Sequence, residues 1–202
     1  MSHYAIGLDL GTTHCELSYY DLGTEHAREW RESLLPIPQL TAAGTIEEKL
    51  LLPSFLYLPK AEEFPEGSLA LPWDKKPSGI TGEFARAHGV KVPARLVSSA
   101  KSWLSHAGVD RTSALLPWQA PPDVPRVSAV EASARYLLHL AGAWDSRFAQ
   151  GKSKAENAIA EQEIILTVPA SFDAAARDLT LEAANRAGLT NVTLLEEPQA
   201  AL

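Results

Sequence analysis

The stretch Gly7-Leu8-Asp9-Leu10-Gly11-Thr12-Thr13, with a second apolar run through Leu17 and Tyr19 behind it, limits the possible folds more than any other part of the chain. An apolar strand carrying one Asp, then a Gly and two hydroxyl residues, then another strand, reads as a hairpin with a polar turn. Gly11 lets the backbone turn and come close to a ligand, where a Cβ would obstruct both. The backbone N–H groups and hydroxyls of Thr12 and Thr13 can then face phosphate oxygens, and Asp9 can hold the waters of a hydrated magnesium ion. The turn is not a Walker loop, which requires a Lys after the glycines and a helix after the turn. Taken alone, the stretch is also compatible with an ordinary strand and turn bearing an edge Asp.

A second informative segment lies at residues 164–202. Ile164-Ile165-Leu166-Thr167-Val168 reads as a buried strand stopped by Pro169, and residues 174–187 read as a helix closed by Gly188. A short strand at 192–195 leads into Glu196-Glu197-Pro198-Gln199-Ala200-Ala201-Leu202. With these pieces in view, the chain resembles the seventy-kilodalton heat-shock chaperone family, in the first half of its actin-like ATPase domain. The resemblance rests on Gly7 to Thr13, Pro53-Ser54 at the start of a strand, Val168-Pro169-Ala170-Ser171-Phe172 through Arg177, Ala187-Gly188-Leu189, and Glu197-Pro198. Their order and spacing follow the family over nearly the whole chain. The opening motif by itself also resembles the sugar kinases of the same superfamily.

The resemblance implies an α/β fold, one lobe of an actin-like, ribonuclease H-like ATPase. A mixed sheet from residues 4–35 and 163–196 would be covered by helices at 128–150 and 173–187. The core subdomain would take residues 1–35 and 128–202, and a small α+β subdomain would be inserted at 36–127. A second lobe, with a Gly-rich phosphate loop and the adenine site, would lie beyond Leu202, so residues 1–202 alone are expected to be inactive. The implied function is that of a chaperone ATPase, coupling ATP binding and hydrolysis to conformational change and to the binding of unfolded client proteins, with co-chaperones as further partners. The implied cofactors are ATP/ADP and Mg2+.

The resemblance also assigns roles. Asp9 and Glu197 would hold the hydrated magnesium, Gly11, Thr12 and Thr13 the phosphates, and Lys101 would stand beside the terminal phosphate and orient the attacking water. These side chains would converge on one side of a cleft floored by the first strands. Pro169 and Arg177 resemble the pair that relays nucleotide state between domains, though a Pro that ends a strand and an Arg on a helix face need no such role. Departures from the family pattern are present. Pro93 lacks its Asn partner, the pair after Lys101 is Ser102-Trp103, and Ser171 and Asp173 stand where the family has Tyr and Asn. Two alternatives therefore stay open: a non-hydrolysing scaffold or sensor with a decayed cleft, and a small-molecule kinase of the same superfamily.

Composition agrees with a globular chain of this kind. With 202 residues, 46% of them hydrophobic, it can bury a sizeable core. A net charge of -7 argues against a nucleic-acid surface, which needs clustered Lys and Arg. The single Cys15 excludes an internal disulfide and reads as a buried structural thiol. No apolar run reaches membrane-spanning length, and the N-terminus has no basic flank with an apolar signal core, so a cytoplasmic location is expected.

Between the two ends, strands are expected at 4–10, 15–21, 27–35 (anchored by Trp30), 53–59 and 68–71, with Pro36 and Pro38 interrupting the pattern. Residues 73–78 read as a solvated loop and 82–88 as a short helix. Residues 93–106 read as a second helix with Leu96, Val97, Ala100, Trp103 and Leu104 on its buried stripe. Residues 106–127 read as loop and small strands, not helix. Ser128 and Glu131 form a capping box for a long helix whose apolar stripe is Val130, Ala134, Leu137, Leu138, Ala141, Trp144 and Phe148. Residues 151–162 read as a polar linker.

Overall fold

The structure, a computed structural model, describes residues 2–23, 31–151 and 154–201. Strict alternation shapes the first strand: β1 (Tyr4–Leu10) buries Ile6, Leu8 and Leu10 and turns Asp9 outward. β2 (His14–Asp21) runs antiparallel to it, with Leu17 opposite Leu8 and Glu16 opposite Asp9. On its other side β1 takes a parallel partner, β10 (Glu163–Val168), in a register that sets Thr167 beside Asp9. β11 (Val192–Glu196) continues parallel to β10, and β3 (Ser33–Leu34) and β6 (Leu52–Pro53) both pair antiparallel with β2. The result is a six-stranded mixed sheet in the order β11-β10-β1-β2-β3, with β6 also on β2.

Two helices cover one face of this sheet. α3 (Ala129–Phe148) and α5 (Ala174–Arg186) pack on each other and share one core with Ile6, Leu8, Leu166 and Val168. At the end of α3, Trp144 meets Tyr4 and Tyr19 edge to face at 5.1 and 5.3 Å, fastening the helix to both strands of the first hairpin. On the opposite face the odd-numbered residues of β10 stay open, and Ile165 is 41% exposed.

The ends of both helices follow local rules. Ser128 Oγ accepts from the Glu131 N–H at 3.0 Å, half of a capping box. The reciprocal half is replaced, because the Glu131 carboxylate takes the Arg135 guanidinium at 2.9 Å. Asp173 caps α5 by accepting from the Ala176 N–H at 2.8 Å, and Gly188, at φ 78°, closes it in the left-handed conformation that side chains resist. In α3 the stripe runs as expected except at Leu138, which is exposed; Tyr136 and Leu140 are buried in its place. Leu138 lies one residue, about 100°, around the helix from the buried Leu137.

The segment between β2 and α3 departs most from expectation. Of the strand at 27–35, only β3 is formed among the described residues, and Trp30 lies outside them. Pro38 does not interrupt a strand. It sits within β4 (Ile37–Ala42), which pairs with β5 (Thr45–Lys49) in a two-stranded ribbon, where a residue without an N–H is tolerated. Residues 53–59 divide between β6 and β7 (Phe55–Tyr57). Residues 68–71 are turn, not strand, and Leu71 packs with Leu40, Ile80 and Phe84. β8 (Ile80–Thr81) is followed by α1 (Glu83–Gly89). The expected helix at 93–106 is largely not one. A single turn at Pro93–Arg95 leads into β9 (Leu96–Ser98), which pairs with β7, and only α2 (Ala100–Trp103) is α-helical. Ser99 at φ 54° separates strand from helix. A short α4 (Lys154–Asn157) lies in the polar linker, and α6 (Glu197–Ala200) follows β11. Among the described residues no helix is long and apolar enough to cross a membrane.

Candidate functional site

The β1–β2 turn is built so that position 11 has no room for a side chain. A Cβ on Gly11 would meet the His14 carbonyl oxygen at 2.2 Å and Asp9 Oδ2 at 3.2 Å. Ser54, buried just after β6, braces this turn at both ends. Its hydroxyl donates to the Gly11 carbonyl at 2.7 Å, and its N–H donates to the Thr13 carbonyl at 2.9 Å. The Ser54 carbonyl in turn accepts from the Tyr136 hydroxyl of α3 at 3.1 Å, so the turn is referenced to the helical layer. Beneath it lies Cys15, with Sγ 3.3 Å from Ser54 Oγ. Burial pushes its thiol up to about 12, so it is a protonated packing group and not a nucleophile.

Around the turn, elements from distant parts of the chain meet. β10 brings Thr167, whose hydroxyl donates to Asp9 Oδ1 at 2.6 Å. α2 carries Lys101, which is 6% exposed, and its ammonium donates to Glu197 Oε1 at 2.5 Å. Glu197 opens α6, and Pro198 behind it fits a first helical turn that needs no N–H there. Asp9, Gly11, Thr12 and Lys101 line one cleft of about 430 Å³ together with Thr167, Pro169 and Glu197. Ala200 and Ala201 complete its lining.

Of the residues singled out from sequence, Asp9, Gly11, Thr12, Lys101, Pro169 and Glu197 thus share this cleft, whereas Thr13 and Arg177 are not in its lining. Thr13 is exposed and tied by its carbonyl to Ser54. Arg177 lies on α5, donating to Glu196 Oε1 at 2.7 Å and to the Phe172 carbonyl at 3.2 Å. It is therefore fastened to the residue before Glu197. Sequence reasoning passed over Thr167 and treated Ser54 only as the start of a strand. The signal for Thr167 was the shared register of two parallel strands, which places it next to Asp9.

The donor set decides which ligands suit the cleft. Among the described residues two carboxylates line it, and no cluster of three or more His, Cys, Asp or Glu side chains could hold a bare metal. A magnesium ion that keeps most of its waters needs only one or two carboxylates. A buried ammonium, a threonine hydroxyl and a turn that excludes any Cβ provide the opposite polarity, the kind that phosphate oxygens need. The residues present therefore fit a hydrated magnesium ion with a phosphate chain. A wider depression of about 740 Å³ lies among loop residues such as Glu62, Phe64, Leu69 and Lys75. Its Lys76 pairs with Glu66 at 3.4 Å on open surface, and it shares no residue with the cleft.

No family model matches the chain. It is 28% identical over 200 residues to the chaperone protein HscA of Proteus mirabilis (strain HI4320), an alignment that takes in 98% of this chain. The chain spans 27% of the length of that relative. Similarity at this level along nearly all of the sequence marks a distant relationship with the seventy-kilodalton heat-shock chaperones.

Proposed function

We propose that the chain is the first lobe of an actin-like ATPase of the heat-shock chaperone type, and that the cleft at the β1–β2 turn takes the phosphates of ATP. The observation that carries this reading is the meeting of Asp9, Gly11, Thr12, Lys101 and Glu197 in one cleft, from three regions remote in sequence. In this reading the core subdomain is residues 1–35 and 128–202, with a smaller unit at 36–127. On the same reading the second lobe, the client proteins and the co-chaperones belong to the full-length protein, acting in the cytoplasm.

The chain's own residues divide the work. Gly11 allows the backbone to approach a phosphate, and Thr12 donates to its oxygens. Asp9 and Glu197 are the carboxylates that would hold Mg2+ through its waters; when bound, the ion neutralises charge on the phosphate oxygens. Lys101 has three N–H donors, and Glu197 occupies one of them. The other two are left to place positive charge beside the terminal phosphate and to orient the attacking water. Hydrolysis of this kind depends on positioning and charge stabilisation, so no strong general base is required. Pro169 in the cleft wall and Arg177, fastened to Glu196, are suited to pass a change at Glu197 towards α5.

Single-turnover hydrolysis of ATP by the full-length protein, measured beside equilibrium ATP binding, tests the reading. Lys101→Ala is expected to lower the rate by about a hundredfold or more while changing affinity far less. If the wild-type protein binds ATP without hydrolysis above background, and Lys101→Ala changes nothing, the cleft belongs to a non-hydrolysing scaffold or sensor.

A further inference from the structure

We infer that Thr167 is the positioning residue for Asp9, fixing the orientation of its carboxylate in the cleft; this rests on the magnesium and phosphate reading of that site. Asp9 stands on the open face of the sheet, between Glu16 on β2 and Thr167 on β10. A carboxylate there has water on one side and a like charge on the other. Left to itself, the Asp9 side chain would turn away from Glu16 and sample several orientations.

Thr167 removes that freedom. Its hydroxyl has one proton and two acceptors within reach, Asp9 Oδ1 at 2.6 Å and the Leu8 carbonyl at 3.4 Å, and the shorter contact takes the proton. Threonine is branched at Cβ, so its own rotamer is stiff and the hydroxyl is a fixed reference point. With Oδ1 held towards β10, Oδ2 lies against the turn, 3.2 Å from where a Gly11 Cβ would stand. The hydroxyl thereby aims the second oxygen of Asp9 at the side of the turn, where it would face the waters of a bound magnesium ion. A hydrogen-bonded carboxylate of this kind is the usual support for a metal site, and its loss costs affinity without removing a ligand.

The hydroxyl is not needed by the core. Thr167 shares the open face with Ile165, which is exposed, while Leu166 and Val168 on either side of it do the packing. Thr167→Val keeps the branched shape and the strand preference and removes only the donor.

Calorimetric binding of ATP to the full-length protein over a series of magnesium concentrations separates the possibilities. Thr167→Val should raise the magnesium concentration that half-maximally tightens ATP binding by about tenfold, leave the melting temperature unchanged, and be rescued by Thr167→Ser. If Thr167→Val titrates like wild type while Asp9→Asn loses its magnesium dependence, the positioning role is wrong and the site stands. If Asp9→Asn also keeps the wild-type dependence, the magnesium site itself is wrong and the inference falls with it. A Thr167→Ser variant that fails to rescue would show that shape, and not the hydroxyl, is what Asp9 needs.

Discussion

Gly11 is the position where a single added carbon meets the firmest resistance. The atom it would strike at 2.2 Å is the backbone oxygen of His14, which cannot rotate aside as a side chain would. Gly11→Ala must therefore rebuild the turn, breaking its alignment with Ser54 and the cleft. The expected cost is about 1–3 kcal/mol of stability in a denaturant melt, with weakened ATP binding; an unchanged midpoint would mean that the turn is looser than its geometry indicates. Individual residues also differ in how far sequence exposes them. Asp9 and Glu197 stand in short motifs that the sequence displays, whereas Lys101 was singled out by the family resemblance alone, in surroundings that depart from the family pattern. Thr167 and Ser54 do not stand out, because a Thr in a strand and a Ser after a Pro are ordinary choices there. What they do is set by partners 158 and 43 residues away.

His139 acts between elements, joining α3 to two separate sheets. Its Nε2–H donates to the Pro38 carbonyl of β4 at 2.9 Å, and its Nδ1 accepts from the Thr81 hydroxyl of β8 at 2.7 Å. Burial lowers its pKa to about 4, with the Pro38 bond pulling the other way. Between about pH 6.5 and 4 the unfolded chain takes a proton that folded His139 refuses, so stability is intact above that window and falls as pH drops through it. Relative to His139→Gln, the wild type should lose up to about 3 kcal/mol across this range in denaturant melts at successive pH values. Parallel curves would show that the imidazole is not held neutral. Elements with long periodic patterns, such as α3, α5 and the first hairpin, were legible from sequence. Residues 93–106 were not, since Leu96, Val97, Ala100, Trp103 and Leu104 suit a helical stripe as well as a strand followed by one helical turn. The pairing of β9 with β7 decides between them, and that contact is remote in sequence.

For the whole molecule, the strands at the two ends and the helices at 128–150 and 173–187 could be read from local signals, whereas their assembly into one mixed sheet covered by helices was what the family resemblance implied. The middle could not be read as well: its short strands form two further small sheets through pairings that no local pattern specifies. The functional account rests on the place where the two ends meet, and an amide chemical-shift titration of residues 1–202 with magnesium ATP tests that place directly. The phosphate part of the nucleotide alone would be held, so the dissociation constant should be on the order of millimolar or weaker. Shifts should centre on Gly11, Thr12, Lys101, Thr167 and Glu197. Micromolar saturation, or shifts gathered at the depression around Phe64 and Leu69 with the β1–β2 turn unmoved, would contradict the account.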